Sequence, residues 1–490
     1  MEHIRDPPSF WSWHSVRFRM VILLAFGFAV HASIRGVLGM ALVCMVVPNV
    51  QPNQTLVSNE LLQVNWDLRE ISAIFIFFYT GNFFSVFGSH YFTLNFGPKN
   101  IISWGIIVSV ICTWMLPLIF YISQDYFFTA MLRFFTGIAQ GFFIPCASLI
   151  ISRWFAEHER STAMAIFTNG NQLGLATAMF FTAEFCKVDF LYGWPLSFIV
   201  YGFLGVIFFC IWLPFASNQP RESSMITAAE LSAIRDKHNN SQVLAAVRHE
   251  TPFTKILFSP VVLAVCLCSF CQSFAIVIVS SYLPTLYRSA LGLNLSQNAF
   301  WSAIPFAVQI LSKLLFGIIA DYAKSKHVDV DLVTKVSNSI ASFVPALMLL
   351  PLNFVEDQTL MLILLTGSLA MTAGYVSGYN TSIVTIAPPF TSVISAYAQA
   401  FAHIGSITAP IFVGFATEES TLEEWMTVFQ VISCILIFTG IAFIVFGSAK
   451  VQKWSLSSNI RKATALRSLE KSTIGLTQFG SLSLIEEASD

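Results

Sequence analysis

Long apolar segments alternate with short polar ones along almost the whole of this 490-residue chain. Most apolar runs reach about the 20 residues that a helix needs to cross a bilayer. The pattern therefore predicts an all-α membrane protein with six transmembrane helices in each half. The predicted runs lie at about 20–47, 70–93, 100–121, 125–152, 161–183 and 193–216, then at about 256–283, 297–320, 332–354, 358–386, 391–416 and 424–449.

The polar segments divide the chain into five predicted parts. Residues 1–19 form a basic N-terminal segment, and the charged linker 217–255 separates the two six-helix halves, 20–216 and 256–449. Residues 450–490 contain too few apolar residues to pack, which predicts a disordered tail.

The charges of the loops predict the orientation in the membrane. Lysine and arginine are concentrated in the linker and in the loops on its side, so these segments and both termini are predicted to be cytosolic. The sequons at Asn53 and Asn294 then face the exoplasmic side and are predicted glycosylation sites. In the linker, Thr227 and Glu230 have the spacing of a capping box, which predicts a short surface helix.

Composition agrees with a protein embedded in a lipid bilayer. The chain is 55% hydrophobic and 11% charged, whereas soluble domains average about 25% charged residues. Its net charge of −1 gives no reason to expect nucleic acid. The nine cysteines lack the spacing of a zinc site and are interpreted as packing residues, so no metal is predicted. The sequence contains no clear nucleotide-binding or catalytic motif, and neither an enzyme nor a cofactor is predicted.

Two arginines inside apolar runs are the strongest functional signal. A charge at that depth costs several kcal/mol unless it faces protein or water. Arg35 lies near the middle of the first run, one turn from His31, and Arg133 shares a helical face with Gln140 in the fourth run. We predict that both arginines face an internal cavity and bind an anion there.

Other polar residues in the predicted spans have two open interpretations. They could line the cavity or form hydrogen bonds between helices. They are Asn169, Asn171, Gln172, Tyr375, Tyr379, Asn380, Gln399 and His403. Gly137 and Gly141, one and two turns after Arg133, are small enough to let a neighbouring helix approach closely.

Six stretches within residues 17 to about 454 are distinctive: RFRMVILLAFGFAVHASIRGVLGMALVCMVV, NWDLREIS, RFFTGIAQG, RWFAEHERS, GYNTSIVTIAP and EEWMTVF. Together they resemble the organic-anion transporter family of the major facilitator superfamily, which includes sialin, the vesicular glutamate transporters and the sodium–phosphate transporters. The resemblance implies two halves that rock about a site near the midplane. It also implies transport of a carboxylate or phosphate anion, with a co-transported proton or sodium possible, across the plasma membrane or a vesicle or lysosome membrane.

The resemblance also assigns roles to single residues. Arg35 and Arg133 match the two arginines that family members use for the substrate anion and for coupling. Gln140 replaces an acidic residue common in relatives, and Gln272 replaces an arginine of the glutamate-transporting members. These departures disfavour glutamate and proton coupling through position 140, which leaves His31 as the titratable candidate beside the site.

A loop motif after the eighth run matches a gating signature of the superfamily. Gly317 and Asp321 are followed by Lys324 and Lys326. The resemblance implies that Asp321 makes a charge contact that locks the inward-closed state and breaks in the other state. The alternative is a solvated aspartate at a helix end.

Three functional classes remain open from the sequence. The chain could be a secondary anion transporter that works by alternating access, an uncoupled facilitator or anion channel, or a transport-inactive sensor or scaffold. The two buried arginines favour the first two classes, because an idle protein has no reason to keep two costly charges.

Overall fold

The computed structural model describes residues 12, 14–46, 64–155, 157–188, 193–227, 230–231 and 253–455. The spans in the first half are span 1 Val16–Met45, span 2 Leu68–Phe96, span 3 Pro98–Ile122, span 4 Tyr126–Gly141 with Phe143–Trp154, span 5 Glu157–Cys186 and span 6 Trp194–Phe215. The spans in the second half are span 7 Pro260–Ser289, span 8 Leu295–Ser325, span 9 Val330–Leu349, span 10 Gln358–Met371 with Tyr379–Thr385, span 11 Thr391–Ala416 and span 12 Leu422–Phe446. A short helix at Phe253–Leu257 precedes span 7, and 3-10 turns lie at Pro220–Glu222, Leu350–Phe354, Thr372–Val376, Pro388–Phe390 and Lys453–Ser455.

Eleven of the described spans are long and apolar enough to cross a membrane, and the predicted all-α membrane architecture is confirmed. Span 5 falls outside that group although it has 30 residues. Its sequence includes Asn171 and Gln172, and both side chains form hydrogen bonds to other spans. Polar residues that face protein rather than lipid lower the mean hydropathy of this helix.

The two halves repeat the same packing arrangement. In the first half, span 1 packs on span 5, span 2 on span 4, and span 3 on span 6. In the second half, span 7 packs on span 11, span 8 on span 10, and span 9 on span 12. The halves meet where span 5 contacts span 8, span 2 contacts span 11, and span 1 contacts span 7.

Glycines bring the paired spans of the first half close together. A Cβ atom at Gly170 or Gly174 would collide with the backbone of span 1, and one at Gly137 would collide with the backbone of span 2. At Gly141 an added Cβ would overlap the hydroxyl of Ser85 on span 2. The close helix approach predicted from Gly137 and Gly141 is therefore confirmed.

Spans 4 and 10 are interrupted, although the hydrophobic pattern predicts continuous runs. Span 4 breaks at Phe142. Pro145 has no N–H to donate to the carbonyl of Gly141 four residues earlier, so the helix cannot continue regularly through this turn. Span 10 contains the 3-10 turn Thr372–Val376 and resumes as an α-helix after Gly378.

The halves are in contact at one end of the bundle and apart at the other. At the far end, where span 2 begins and span 11 ends, Arg69 forms an ion pair with Glu418. Tyr282 of span 7 also donates to Ser72 of span 2 at 2.9 Å. All hydrogen bonds between described residues of the two halves lie at the far end or in the middle of the spans.

Span 8 shows the separation at the opposite end, called here the linker end. Ala299 and Phe306 pack in a cluster with Leu175 and Met179 of span 5. Gly317 follows Ala299 by about five helical turns and lies on the same face of span 8. A Cβ at Gly317 would meet no heavy atom within 4 Å. The two halves therefore diverge towards the linker end, which leaves the space between them open there.

Glu230 of the linker caps span 1, so the predicted capping box is only half right. The Thr227 hydroxyl accepts a hydrogen bond from the Glu230 N–H at 3.3 Å, as predicted. The Glu230 carboxylate is fully buried and accepts from the backbone N–H groups of Val16 and Arg17 and from the Ser15 hydroxyl. The Glu230 carboxylate binds the start of span 1 instead of its own helix start, because the first turn of span 1 has unsatisfied N–H groups and the positive end of the helix dipole.

Arg17 joins this cap to span 5. Its Nε lies 3.0 Å from Glu230, and its Nη1 lies 2.6 Å from Glu159. The Arg17 side chain is 6% exposed, so the arginine and both carboxylates form a largely buried charge cluster. The cluster fixes the start of the linker to the first half.

The interpretation of all nine cysteines as packing residues is wrong for one pair. Cys44, at the end of span 1 away from the linker, and Cys186, at the end of span 5, form a disulfide across 142 residues of sequence. Disulfides persist in oxidising compartments. The bond is consistent with an exoplasmic far end.

Several predicted features lie outside the described residues. They are the sequon at Asn53, residues 232–252 of the linker and the tail from residue 456. Asn294 is described: it is exposed, and its side chain accepts from the Gln297 N–H at 2.9 Å at the start of span 8.

Replacing Glu230 should destabilise the protein. Glu230→Ala removes the cap of span 1 and one of the two carboxylates that balance buried Arg17, so we expect stability to fall by about 3 kcal/mol. Thermal unfolding of the purified protein measures the loss. Glu222→Ala removes an exposed linker carboxylate and is the matched control. Equal unfolding temperatures for both variants would contradict a structural role for Glu230.

Glycosidase treatment tests the orientation predicted from the loop charges. The wild-type protein should shift in electrophoresis, and Asn53→Gln combined with Asn294→Gln should abolish the shift. The sequon at Asn239, in the linker, serves as the internal control because the cytosol contains no enzyme that would modify it. A glycan that persists at Asn239 in the double variant would show that the predicted orientation is wrong.

Candidate substrate-binding site

Arg35 lies near the middle of span 1 and is half-buried. Its Nη2 donates to Oδ1 of Asn171 on span 5 at 2.6 Å. Its Nε is buried and has no acceptor among the described residues. A neutral amide oxygen orients the guanidinium but supplies no negative charge, so this contact leaves the arginine without charge compensation.

Arg133 is more deeply buried, with 4% of its surface exposed. Its Nη1 donates to the carbonyl oxygen of Ile34 at 3.1 Å. The guanidinium carbon lies 6.0 Å from the ring centroid of Phe198 on span 6. Ile34 directly precedes Arg35, so the Arg133 side chain reaches the turn of span 1 that carries Arg35. Arg35 is the more exposed of the two arginines.

Neither arginine forms an ion pair with a carboxylate in the described part of the chain. Tyr79 of span 2, which is 5% exposed, lies within electrostatic range of both guanidinium groups. Two buried cations without an acidic partner make this region strongly attractive to an anion.

Three other predicted residues carry buried polar atoms that lack partners among the described residues. They are both ring nitrogens of His31, Nε2 of Gln140 and Oδ1 of Asn169. The His31 ring centroid lies 4.5 Å from that of Phe143. Since an unpaired buried polar group costs about 1–3 kcal/mol, the facing parts of spans 1, 4 and 5 are suited to a polar ligand or to water.

Two further predicted residues, Gln272 and Tyr379, pair with each other in the second half. Tyr379 of span 10 donates to Oε1 of Gln272 on span 7. The Asn338 side chain accepts from the Tyr379 N–H at 3.2 Å, just after the interruption of span 10. No hydrogen bond between described residues connects this pair to Arg35 or Arg133. The predicted residues therefore form two separate groups, one in each half.

A polar link crosses the middle of the bundle, and only one of its two glutamines, Gln172, was identified from the sequence. Nε2 of Gln172 donates to Oε1 of Gln309 on span 8 at 3.0 Å. Gln309 in turn donates to the Thr372 hydroxyl at 3.0 Å, in the interrupted part of span 10. The signal was available, because Gln309 is a polar residue within a predicted apolar run. Tyr79 was missed as well, since one tyrosine in a run of aromatic residues is not distinctive.

Residues 24–328 match the family model of the Major Facilitator Superfamily. This chain belongs to that superfamily. It is 30% identical over 398 residues to "Uncharacterized transporter slc-17.3" of Caenorhabditis elegans, covering 80% of this chain and 73% of the relative. It is 26% identical over 464 residues to sialin of Ovis aries, covering 91% of this chain and 92% of the relative.

The overall structure agrees with this assignment. The xylose transporter XylE from E. coli in its inward-open conformation superposes with a TM-score of 0.65, at 12% identity, over 90% of this chain and 98% of XylE. The predicted major facilitator fold and the resemblance to the organic-anion transporter family are both confirmed. The chain is a multi-pass membrane transporter and not an enzyme.

The predicted gating motif lies at the open linker end of span 8. The Asp321 side chain is 79% exposed and lies 3.4 Å from Lys324, one turn away in the same helix. Asp329, at the start of span 9, instead pairs with Lys450 at 2.8 Å. The hydrogen bond from Lys450 lowers the pKa of Asp329 below its usual value. Asp321 has no partner among the described residues of the first half, so its gating contact stays a prediction.

Removing the charge of Asp321 should favour the state in which the linker end is open. Asp321→Asn weakens a contact that exists only when that end is closed, so the open population should rise. Gly317→Cys provides a reporter, because the space around Gly317 accepts a side chain. We expect severalfold faster alkylation of this cysteine by a membrane-impermeant reagent.

Asp329→Asn is the matched control for this experiment. It removes an aspartate at the same end of the bundle, but one whose partner lies within the same half. Equal alkylation rates in the Asp321→Asn, Asp329→Asn and parent proteins would show that Asp321 is a solvated surface residue without a gating role.

Proposed function

We propose that this chain carries a small carboxylate or phosphate anion across the membrane by alternating access. The observation that carries the proposal is that neither the buried Arg133 nor the half-buried Arg35 has an acidic partner in the described residues. A bound anion would supply the missing negative charge at the turn of span 1 that carries Arg35 and that the Arg133 side chain reaches. The guanidinium group suits this role, because its donors match a carboxylate or phosphate in a bidentate geometry.

Arg35 is the proposed primary contact with the anion. It is half-buried, and Asn171 holds only one side of its guanidinium. Arg133 supports it from a more buried position, where one donor is already used by the Ile34 carbonyl. His31, Gln140 and Asn169 are proposed to contribute further polar contacts, and Gln272 with Tyr379 would face the substrate from the second half.

The coupling mode is a separate part of the proposal. Gln140 cannot exchange a proton, so an uncoupled facilitator or anion channel is the second candidate. If protons do drive transport, His31 is the proposed titratable group beside the site. Gln272 leaves no positive charge at the position where glutamate-transporting members of the family have an arginine, which disfavours glutamate as the substrate. The linker end is proposed to face the cytosol, and the membrane to be the plasma membrane or that of a vesicle or lysosome.

Transport by purified protein in liposomes tests the function directly. Labelled carboxylates, phosphate and neutral xylose should be offered with and without proton, sodium and voltage gradients. We expect uptake of at least one anion and none of xylose. Accumulation against a gradient would identify the coupling ion, whereas equilibration alone would indicate the facilitator. Uptake of xylose without any anion would refute the proposal.

Substitutions of the arginines should separate geometry from charge. Arg35→Lys and Arg133→Lys keep the charge but lose the planar set of donors, so we expect about tenfold slower uptake, and about a hundredfold slower uptake for the alanine variants. Arg221→Lys, at an exposed position in the linker, is the matched control. Full transport in the double lysine variant would show that the arginines have only a structural role.

Asn171→Asp provides an independent test with little change in shape. A carboxylate at this position would pair with Arg35 and neutralise it, so anion uptake should fall further than in Asn171→Ala although the protein remains folded. Equal uptake in the two variants would contradict anion binding at Arg35.

A further inference from the structure

An apolar groove runs along the outside of span 1 at the linker end, away from the proposed transport site. It has a volume of about 330 Å³ and lies between span 1, span 6 and the linker. Its lining residues are Val16, Arg19, Met20, Ile22, Leu23, Phe26, Ile211, Phe215 and Met225. From Arg19 to Phe26 the groove follows span 1 for about 10 Å. Arg19 is the one charged residue among those that line it.

Arg19 differs from its neighbour Arg17 in how its charge is balanced. Two positions apart on a helix, the two side chains point to roughly opposite sides. Arg17 pairs with Glu159 and Glu230. Arg19 has no ion pair within the described residues, and its buried Nε has no acceptor there. The groove therefore combines a long apolar surface with an unbalanced cation at its linker end.

We propose that this groove binds an anionic phospholipid from the leaflet at the linker end. The net negative charge of the headgroup would pair with Arg19, an attraction that the cationic choline of a zwitterionic lipid offsets, and an acyl chain would lie along the groove towards Phe26. Ile22, Ile211 and Phe215 are 37%, 38% and 48% exposed on the surfaces of spans, where the surrounding medium is lipid. A basic residue between transmembrane helices at the cytosolic surface is a recognised arrangement for anionic headgroups.

The shape of the groove favours a lipid over a soluble anion. A soluble phosphate would need several polar contacts, whereas the other residues that line the groove are all apolar. An acyl chain packs against this apolar surface by van der Waals contact and holds its headgroup beside Arg19, which a soluble anion cannot do. Met225 lies in the linker, so a bound lipid would contact both span 1 and the segment that leads to Glu230.

Lipid retention by the full-length protein tests the site. The protein is equilibrated in micelles that contain equal amounts of phosphatidylserine and phosphatidylcholine, and bound lipid is measured by native mass spectrometry. We expect the wild type to retain phosphatidylserine about fivefold over phosphatidylcholine, the factor that one cation near the membrane surface provides. Arg19→Gln should abolish the preference, and Arg19→Lys should keep most of it.

Two further variants separate the parts of the site. Ile211→Trp fills the groove and should reduce retention of phosphatidylserine although Arg19 is intact. Arg221→Gln removes an exposed cation of the linker and should leave retention unchanged. Glycerophosphoserine, which has the headgroup without acyl chains, should not displace the lipid.

Three results would overturn the lipid site. One is equal retention of both lipids by the wild type, and another is an unchanged preference in Arg19→Gln. The third is displacement by glycerophosphoserine, which would indicate a site for a soluble anion. Thermal unfolding of each variant verifies that it is folded, and none of these readouts depends on transport activity.

Discussion

The cost of a positive charge inside the bilayer is the constraint on which the rest of this structure depends. Span 1 contains three arginines with three different environments. Arg17 is balanced by two carboxylates, Arg19 lies beside an apolar groove, and Arg35 contacts only a neutral amide. The first arrangement satisfies the charge within the protein and serves stability. The other two leave charge uncompensated, and such positions are where a ligand contributes most.

Hydropathy predicted the architecture because crossing a bilayer requires about 20 apolar residues whatever the tertiary contacts are. Span 5 was found in this way although its polar residues lower its mean hydropathy. The interruptions of spans 4 and 10 were not predicted, since apolar content does not report helix continuity. For span 4 the local signal existed, because Pro145 removes a hydrogen-bond donor four residues after Gly141.

Features that depend on distant partners were harder to predict. Thr227 and Glu230 satisfy the local pattern of a capping box, yet the carboxylate binds span 1 more than 200 residues earlier in the chain. Cys44 and Cys186 likewise pair across 142 residues. At the candidate site, sequence identified Arg35 and Arg133 from their cost alone. The sequence could not reveal that Arg133 reaches the turn of span 1 that carries Arg35, because this proximity depends on how spans 4 and 5 pack on span 1.

The distribution of polar contacts suits a rocking motion between the halves. The Gln172–Gln309 hydrogen bond lies near the middle of spans 5 and 8, where a rotation changes distances least. Under the proposed alternating access, contacts at the ends, such as Arg69 with Glu418, are far from that pivot and would break when the far end opens. Glu230 ties the start of the linker to the first half, while Lys450 after span 12 pairs with Asp329 of the second half. Each half thus keeps its own charged partners at the linker end. Among the described residues Asp321 pairs only with Lys324 of its own helix, and its contact with the first half remains a prediction.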